Sequence, residues 1–157
     1  MSEAKTVLSV QDLYVKFAVT REREVHAVNG VTFDLKRGEV LSILGESGSG
    51  KSVTLRAVQK LLPERITDIS GAINIDGENV LEMSLPRLRD LRGGEVSMIF
   101  QEPATSFDPV YTIGQQITET ILRHKDCSLT VAQNRAQELL ELVKIPSAAQ
   151  RLGCLLY

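Results

Sequence analysis

The chain has 157 residues, of which 43% are hydrophobic and 24% charged, a composition typical of one globular domain. Its net charge of -2 gives no basic footprint for nucleic acid, and its two cysteines form no metal-binding or disulfide pattern. The opening residues MSEAKT lack the apolar stretch of a secretory signal, and no run of roughly eighteen apolar residues could span a bilayer. We therefore expect a cytosolic protein without a membrane span or a nucleic-acid partner.

The N-terminal third predicts an antiparallel β layer that leads into a core strand. Apolar and polar residues alternate from Val7 to Val19, and after a charged turn at Arg21 to Glu24 the alternation returns from Val31 to Leu35. Gly38 ends this second strand. The apolar run Val40 to Leu44, which only Ser42 interrupts, then predicts a strand that is buried on both faces.

The next residues, GESGSGKS, match the phosphate-loop pattern G-x-x-x-x-G-K-[ST] completely. Its glycines let the backbone curl around oxygen atoms, so that amide groups and the start of the following helix face a phosphate. A lysine supplies charge to the β and γ phosphates, and a serine hydroxyl binds Mg²⁺. A glycine-rich turn with a chance lysine is disfavoured, because strand, loop and helix follow in the required order. The predicted nucleoside triphosphate site comprises Gly45, Glu46, Ser47, Gly48, Ser49, Gly50, Lys51 and Ser52.

Further elements follow the loop. Helical spacing runs from Val53 to Leu62, and Ala72 to Ile75 predicts a short strand before an Asp-Gly turn. A Ser-Leu-Pro sequence at residues 84–86 opens a helix that two glycines at residues 93–94 end. Glu95 to Phe100 then predicts another strand.

Two helices are predicted near the C-terminus of the sequence. Thr112 and Gln115 have the spacing of a capping box, and so do Thr130 and Gln133. Apolar residues follow each box at helical intervals. We therefore expect a helical subdomain after Gln101.

Phosphate loops occur in proteins with many functions, so the loop alone does not identify the class of nucleotide-binding protein. A second motif indicates that class. Residues 97–110 read SMIFQEPATSFDPV, and AVNGVTFDLKRGEVLSILGESGSGKS stands upstream. Together they resemble the ATP-binding subunits of ABC transporters, within the dipeptide, oligopeptide and nickel importer group, from about Leu8 to Leu152. The resemblance implies an α/β fold: a P-loop NTPase core of the ABC ATPase type, with an N-terminal antiparallel β layer and a partial helical subdomain. Residues 1–157 would form one partial ATP-binding domain, with a nucleotide-binding core at about 1–100, the Q-loop and helical subdomain at about 101–152, and a divergent end at 153–157.

The same resemblance implies a function. The chain would be the ATP-binding, energy-coupling subunit of a peptide importer, peripheral on the cytoplasmic face of a bacterial inner membrane. Its partners would be transmembrane permease subunits, a second ATPase subunit and, indirectly, an extracytoplasmic peptide-binding protein. ATP and Mg²⁺ would be its ligands, with Ser52 and Gln101 at the metal, because Gln101 matches the Q-loop glutamine that reaches the Mg²⁺ and the attacking water. Without the resemblance, Gln101 would be interpreted as a solvated loop residue.

Three other side chains have open or structural interpretations. The family commonly stacks adenine on an aromatic residue near the end of the first strand, but the best-matching position here is Val19. Phe17 is predicted to belong to the core, so the residue that stacks on adenine stays open. His124 is predicted to be a solvated residue at the end of a helix, because it has no partner in a catalytic pattern.

Three family motifs do not occur in these 157 residues: the L-S-G-G-Q signature, the apolar run followed by Asp-Glu, and the histidine switch. The sequence LRGGE from Leu91 to Glu95 lacks the signature serine and precedes the Q-loop, so it is interpreted as a helix stop. We expect a truncated or frameshifted product or a fragment, with little or no ATP hydrolysis by the chain alone and an exposed sheet edge. The alternatives are a non-hydrolysing nucleotide-binding or interaction module and a non-functional remnant of such a subunit.

Overall fold

The computed structural model describes residues 4–20, 23–101 and 107–155, which divide into a first unit up to residue 89 and a second unit from residue 90. The first unit holds strands β1 (Thr6–Ala18), β2 (Glu24–Lys36), β3 (Thr67–Ile75) and β4 (Glu78–Asn79), with helix α1 (Lys51–Val58). Helix α2 (Leu85–Gly94) crosses the boundary between the units. The second unit continues with helices α3 (Ile113–His124), α4 (Leu129–Leu142) and α5 (Ala148–Arg151).

The first unit is built on an antiparallel sheet with the strand order β2-β1-β3-β4. The alternating residues that predicted the first two strands form β1 and β2, which confirms the antiparallel layer. A bulge at Asp12, whose φ is 45°, shifts the register so that Val10, Leu13 and Val15 are all fully buried. The extra residue is accommodated because Thr32 Oγ1 accepts a 2.9 Å hydrogen bond from the Asp12 amide.

Helix α1 packs on β1 and β2 and is shorter than the sequence predicts. Ala57 and Val58 are buried at its end. The predicted extension to Leu62 is wrong, because Lys60 adopts a left-handed φ of 51° and its amide donates to Ala57 O at 2.8 Å. The chain therefore turns before Pro63 is reached.

Two predicted core strands are wrong. No strand is assigned over Val40 to Leu44, where both end residues are 91% exposed. Glu95 to Phe100 contributes only an isolated bridge at Val96, and Ile99 is 98% exposed. A fully apolar strand needs neighbours that bond its backbone and cover both faces, and within the described ranges no strand pairs with either segment.

The second unit confirms one of the two predicted capping boxes. Thr112 Oγ1 accepts from the Gln115 amide at 3.2 Å, and the Gln115 side chain accepts from the Thr112 amide at 2.9 Å. The box predicted at Thr130 is wrong, because α4 begins earlier and its N-cap is Ser128. Ser128 Oγ accepts from the Val131 amide at 3.4 Å, which leaves Thr130 inside the first turn.

Helices α3 and α4 pack together, and the chain that follows α5 closes on the start of α3. The amide of Gly114 donates to Leu152 O at 2.9 Å, and that of Ile113 donates to Cys154 O at 3.0 Å. Both cysteines are free and half-buried. In the part of the chain that the structure describes, none of the helices is long and apolar enough to cross a bilayer.

Candidate phosphate-binding loop

The residues of the phosphate-loop motif form one continuous turn that leads into α1. Gly48 and Gly50 have φ angles of 81° and 91°, in the left-handed region where only glycine avoids strain. Inside the turn, the Ser49 amide donates to Glu46 O at 3.3 Å. The glycines of the motif therefore stand where the backbone requires them.

Lys51 curls back into this turn rather than extending into solvent. Its Nζ donates to Gly45 O at 2.8 Å, to Glu46 O at 2.6 Å and to Ser49 Oγ at 3.3 Å. These bonds hold the two ends of the loop around one ammonium group. The positive charge of the Lys51 ammonium therefore lies at the centre of the loop.

The start of α1 adds a partial positive charge beside the lysine. Gly50 is the N-cap and provides no side-chain hydrogen bond, and the first turn contains no acidic residue. The first amides of a helix lack intrahelical acceptors and carry the positive end of the helix dipole. This helix start is therefore open to an anion.

The loop is attached to the sheet through Gly50. A β-carbon at this position would overlap the carbonyl oxygen of Ala27 on β2, and it would also lie 3.5 Å from a methyl group of Val28. Only a residue without a side chain can approach β2 so closely. The sheet therefore sets where the loop ends and where α1 begins.

The two predicted metal-binding side chains, Ser52 and Gln101, are both exposed. The Ser52 hydroxyl follows the lysine at the open helix start, and an accessible hydroxyl oxygen is the kind of ligand that Mg²⁺ takes. Gln101 ends a segment of the second unit without regular secondary structure, while residues 102–106 of the predicted Q-loop lie outside the described residues. A Mg²⁺ ligand set of Ser52 and Gln101 stays a prediction.

Phe17, which the sequence predicts to be a core residue, is only partly buried. Phe17 is half-buried on β1, opposite Val25 on β2 and Thr67 on β3. Val19 is 56% exposed. The residue that would stack on adenine therefore stays open.

His124 ends α3 as predicted, but it is not fully solvated. Its imidazole is half-buried against the two glycines that end α2. Nothing local in the sequence signals this contact, because Gly93 and Gly94 belong to a different helix. The prediction that these glycines stop the helix is confirmed by the φ of 87° at Gly93.

The shifted carboxyl groups belong to the β3–β4 hairpin. A hydrogen bond from Lys5 and the charges of Lys5 and Arg37 lower the pKa of Asp76. A hydrogen bond from Arg87 and its charge lower the pKa of Glu78. These shifts come from surface ion pairs and do not mark a catalytic centre.

The sheet, the loop and the helix that follows it define a nucleotide-binding cassette. A family model described as ABC transporter matches residues 28–154, and the chain belongs to this family. Among solved structures, a dimeric bacterial ABC transporter cassette, MJ0796, superposes with a TM-score of 0.75 at 22% identity, over 89% of this chain and 58% of that one. This likeness confirms the fold class.

The relatives belong to the peptide-transport group that the sequence resembles. The chain is 43% identical over 154 residues to the oligopeptide transport ATP-binding protein OppD of Bacillus subtilis, covering 98% of this chain and 43% of the relative. It is 44% identical over 149 residues to the dipeptide transport ATP-binding protein DppD of the same organism, covering 93% and 44%. The chain thus spans less than half the length of these curated relatives.

Proposed function

We propose that this chain is the ATP-binding, energy-coupling part of an ABC transporter that imports peptides across the bacterial inner membrane. The functions of the relatives, oligopeptide and dipeptide transport, support the choice of substrate class. The observation that carries the proposal is the position of Lys51, whose ammonium lies inside the motif loop at the uncapped start of α1.

The loop residues would bind the phosphates by exchanging partners. Lys51 would give up bonds to the carbonyl oxygens of Gly45 and Glu46 and donate instead to phosphate oxygens, which carry full negative charge and form stronger hydrogen bonds. The amides at the start of α1 would donate from the other side. Bound Mg²⁺, held by Ser52 and approached by Gln101, would neutralise charge on the phosphates. All eight residues from Gly45 to Ser52 are included in this proposed site.

The proposed setting follows from the transporter class. The partners are transmembrane permease subunits, a second ATPase subunit and, indirectly, an extracytoplasmic peptide-binding protein, with this chain peripheral on the cytoplasmic face. Within the chain, we assign nucleotide binding to about residues 1–100, the Q-loop and helical subdomain to about 101–152, and a divergent end to 153–157.

Cleavage of ATP would need groups outside these residues. The 157 residues contain neither the L-S-G-G-Q signature nor an apolar run followed by Asp-Glu. The purified chain should therefore bind nucleotide with a turnover far below about 1 per second, the low end for ordinary enzymes. A turnover of that order from the monomeric chain, after removal of contaminating ATPases, would contradict this part of the proposal.

The binding proposal is tested by thermal unfolding with and without Mg·ATP. Because a ligand that binds the native state raises stability, the midpoint of the unmodified chain should rise with nucleotide concentration. Lys51→Ala should show a much smaller rise, since losing charge-assisted bonds weakens affinity by about tenfold or more. Lys36→Ala, at an exposed position that ends β2, is the matched control and should respond like the unmodified chain. No shift in the unmodified chain, or an equal shift in Lys51→Ala, would overturn the proposal.

A further inference from the structure

The last turn of α2 redirects the chain toward Gln101. Gly93 has a φ of 87°, and its amide donates to Val96 O at 2.8 Å. The amides of Glu95 and Val96 both donate to Leu91 O at 3.0 Å. These bonds close a compact turn from which residues 97–101 leave without regular secondary structure.

The imidazole of His124, the last residue of α3, occupies the space directly over this turn. A β-carbon on Gly93 would lie 2.8 Å from His124 Nε2, and one on Gly94 would lie 3.4 Å from Nδ1. Gly93 therefore does more than permit a left-handed backbone. It also admits an aromatic ring from another helix, which blocks movement of the turn toward α3.

An ion pair joins the same two helix ends a short distance along the chain. Arg123 Nη2 lies 2.6 Å from Asp90 Oδ1. Both side chains are at least half exposed, so the pair adds little to stability. Together with His124, however, it gives the end of α2 two points of attachment to the end of α3.

The segment between this turn and Gln101 has little other support. In the part of the chain that the structure describes, residues 97–101 pair with no strand, and Ile99 and Phe100 are exposed. In the described residues, the backbone hydrogen bonds of this segment lie where it begins, at the turn under His124.

We propose that His124 is a positioning residue for Gln101: by packing on Gly93 and Gly94, it fixes the turn from which the segment carrying Gln101 departs. This inference rests on the proposed function, in which Gln101 contributes to binding Mg·ATP. His124 itself makes no contact with nucleotide in this proposal. Its loss would act only through Gln101.

A double-mutant cycle on the whole chain tests the proposal, with the dissociation constant of Mg·ATP as the readout. His124→Ala and Gln101→Ala should each raise this constant by roughly three- to tenfold, the scale of a lost or misplaced hydrogen bond to a charged group. In the Gln101→Ala background, His124→Ala should have no further effect, because both changes remove the same interaction. His26→Ala, at the other, exposed histidine on β2, is the matched control and should bind like the unmodified chain.

Two more variants separate positioning from stability. His124→Gln keeps a long planar side chain at the end of α3 and should restore most of the affinity lost in His124→Ala. Gly93→Ala keeps His124 but adds a carbon 2.8 Å from Nε2, so the ring must shift, and binding should weaken in the same Gln101-dependent way. If His124→Ala does not unfold cooperatively, the cycle is run with Gly93→Ala instead.

The outcomes distinguish the two proposals. No Mg·ATP binding by the unmodified chain would refute the proposed function and, with it, this inference. Normal binding by the unmodified chain together with unchanged affinity in His124→Ala and Gly93→Ala would refute the positioning role alone. Losses that are fully additive with Gln101→Ala would do the same, because His124 would then act by another route.

Discussion

Gly50 lies against the carbonyl oxygen of Ala27 so closely that a β-carbon at Gly50 would overlap that oxygen. The contact joins the end of the phosphate-loop motif to the backbone of β2. Since Gly50 is also the N-cap of α1, the same contact fixes the origin of the helix. The loop is therefore held by the sheet as well as by the bonds of Lys51.

Replacing Gly50 by alanine should lower the free energy of unfolding by about 2 to 4 kcal/mol, because left-handed strain adds to a backbone overlap. Gly38→Ala is the control, since Gly38 has a similar φ of 79° but no atom within 4 Å of the added carbon. It should cost only about 1 kcal/mol. Urea unfolding of the two variants measures both values, and equal losses would show that the approach to Ala27 does not constrain the loop.

The exposed apolar segment before the loop gives a second prediction. Val40 is 91% exposed, whereas Val10 on β1 is fully buried. Val10→Ala should therefore cost about 1 to 3 kcal/mol, while Val40→Ala should change stability by no more than about 0.5 kcal/mol. A loss in Val40→Ala comparable with that in Val10→Ala would mean that the segment forms the buried strand that the sequence predicts.

The capping box of α3 gives a third prediction. Thr112→Ala removes the oxygen that accepts from the Gln115 amide and should destabilise the chain by about 1 kcal/mol. Thr120, exposed on the same helix, is the control, because its hydroxyl only donates to Gln116 O within the helix. Thr120→Ala should be neutral or slightly stabilising, since alanine has the higher helix propensity. Hydrogen exchange resolved to single helices should show faster exchange at the first turn of α3 in Thr112→Ala. Thr120→Ala should show no such increase.

The carboxyl of Asp76 gives a fourth, pH-dependent prediction. Because its pKa is lowered from the ordinary value of 3.8, its contribution to stability is present above about that pH and is lost as the pH falls through the lower, folded value. Lys5 supplies the hydrogen bond that is the largest cause, and Arg37 supplies only a weaker charge interaction.

An NMR titration of Asp76 checks this assignment. Lys5→Ala should raise the pKa of Asp76 toward 3.8, and Arg37→Ala should raise it less. A larger rise in Arg37→Ala than in Lys5→Ala would reverse the assigned order of causes. Since Asp76 and Lys5 are largely solvent-exposed, the effect on stability should weaken with added salt.

Local patterns predicted the elements that depend on local chemistry. The alternation in β1 and β2 and the cap of α3 are confirmed, because each depends on neighbours within a few residues or on one partner strand. The cap of α4 was misplaced by two positions, since Ser128 and Thr130 are both suitable N-cap residues. The sequence also predicts strands at Val40 to Leu44 and Glu95 to Phe100, and for Val40 to Leu44 the prediction rests on apolar composition. That composition shows that a segment can be buried, but it does not supply the strand beside it.

The sequence by itself determined the phosphate-loop motif, the antiparallel layer and the family, because each is encoded in consecutive residues or in a period of two. The tertiary structure decided where those residues act. Only the folded backbone brings Gly50 onto Ala27, and only the packing of α3 brings His124 onto Gly93. Both contacts join residues that are distant in sequence, and both are possible because glycine has no β-carbon. A contact that depends on a missing side chain leaves no periodic pattern in the sequence. It becomes visible only when the fold places the two segments side by side.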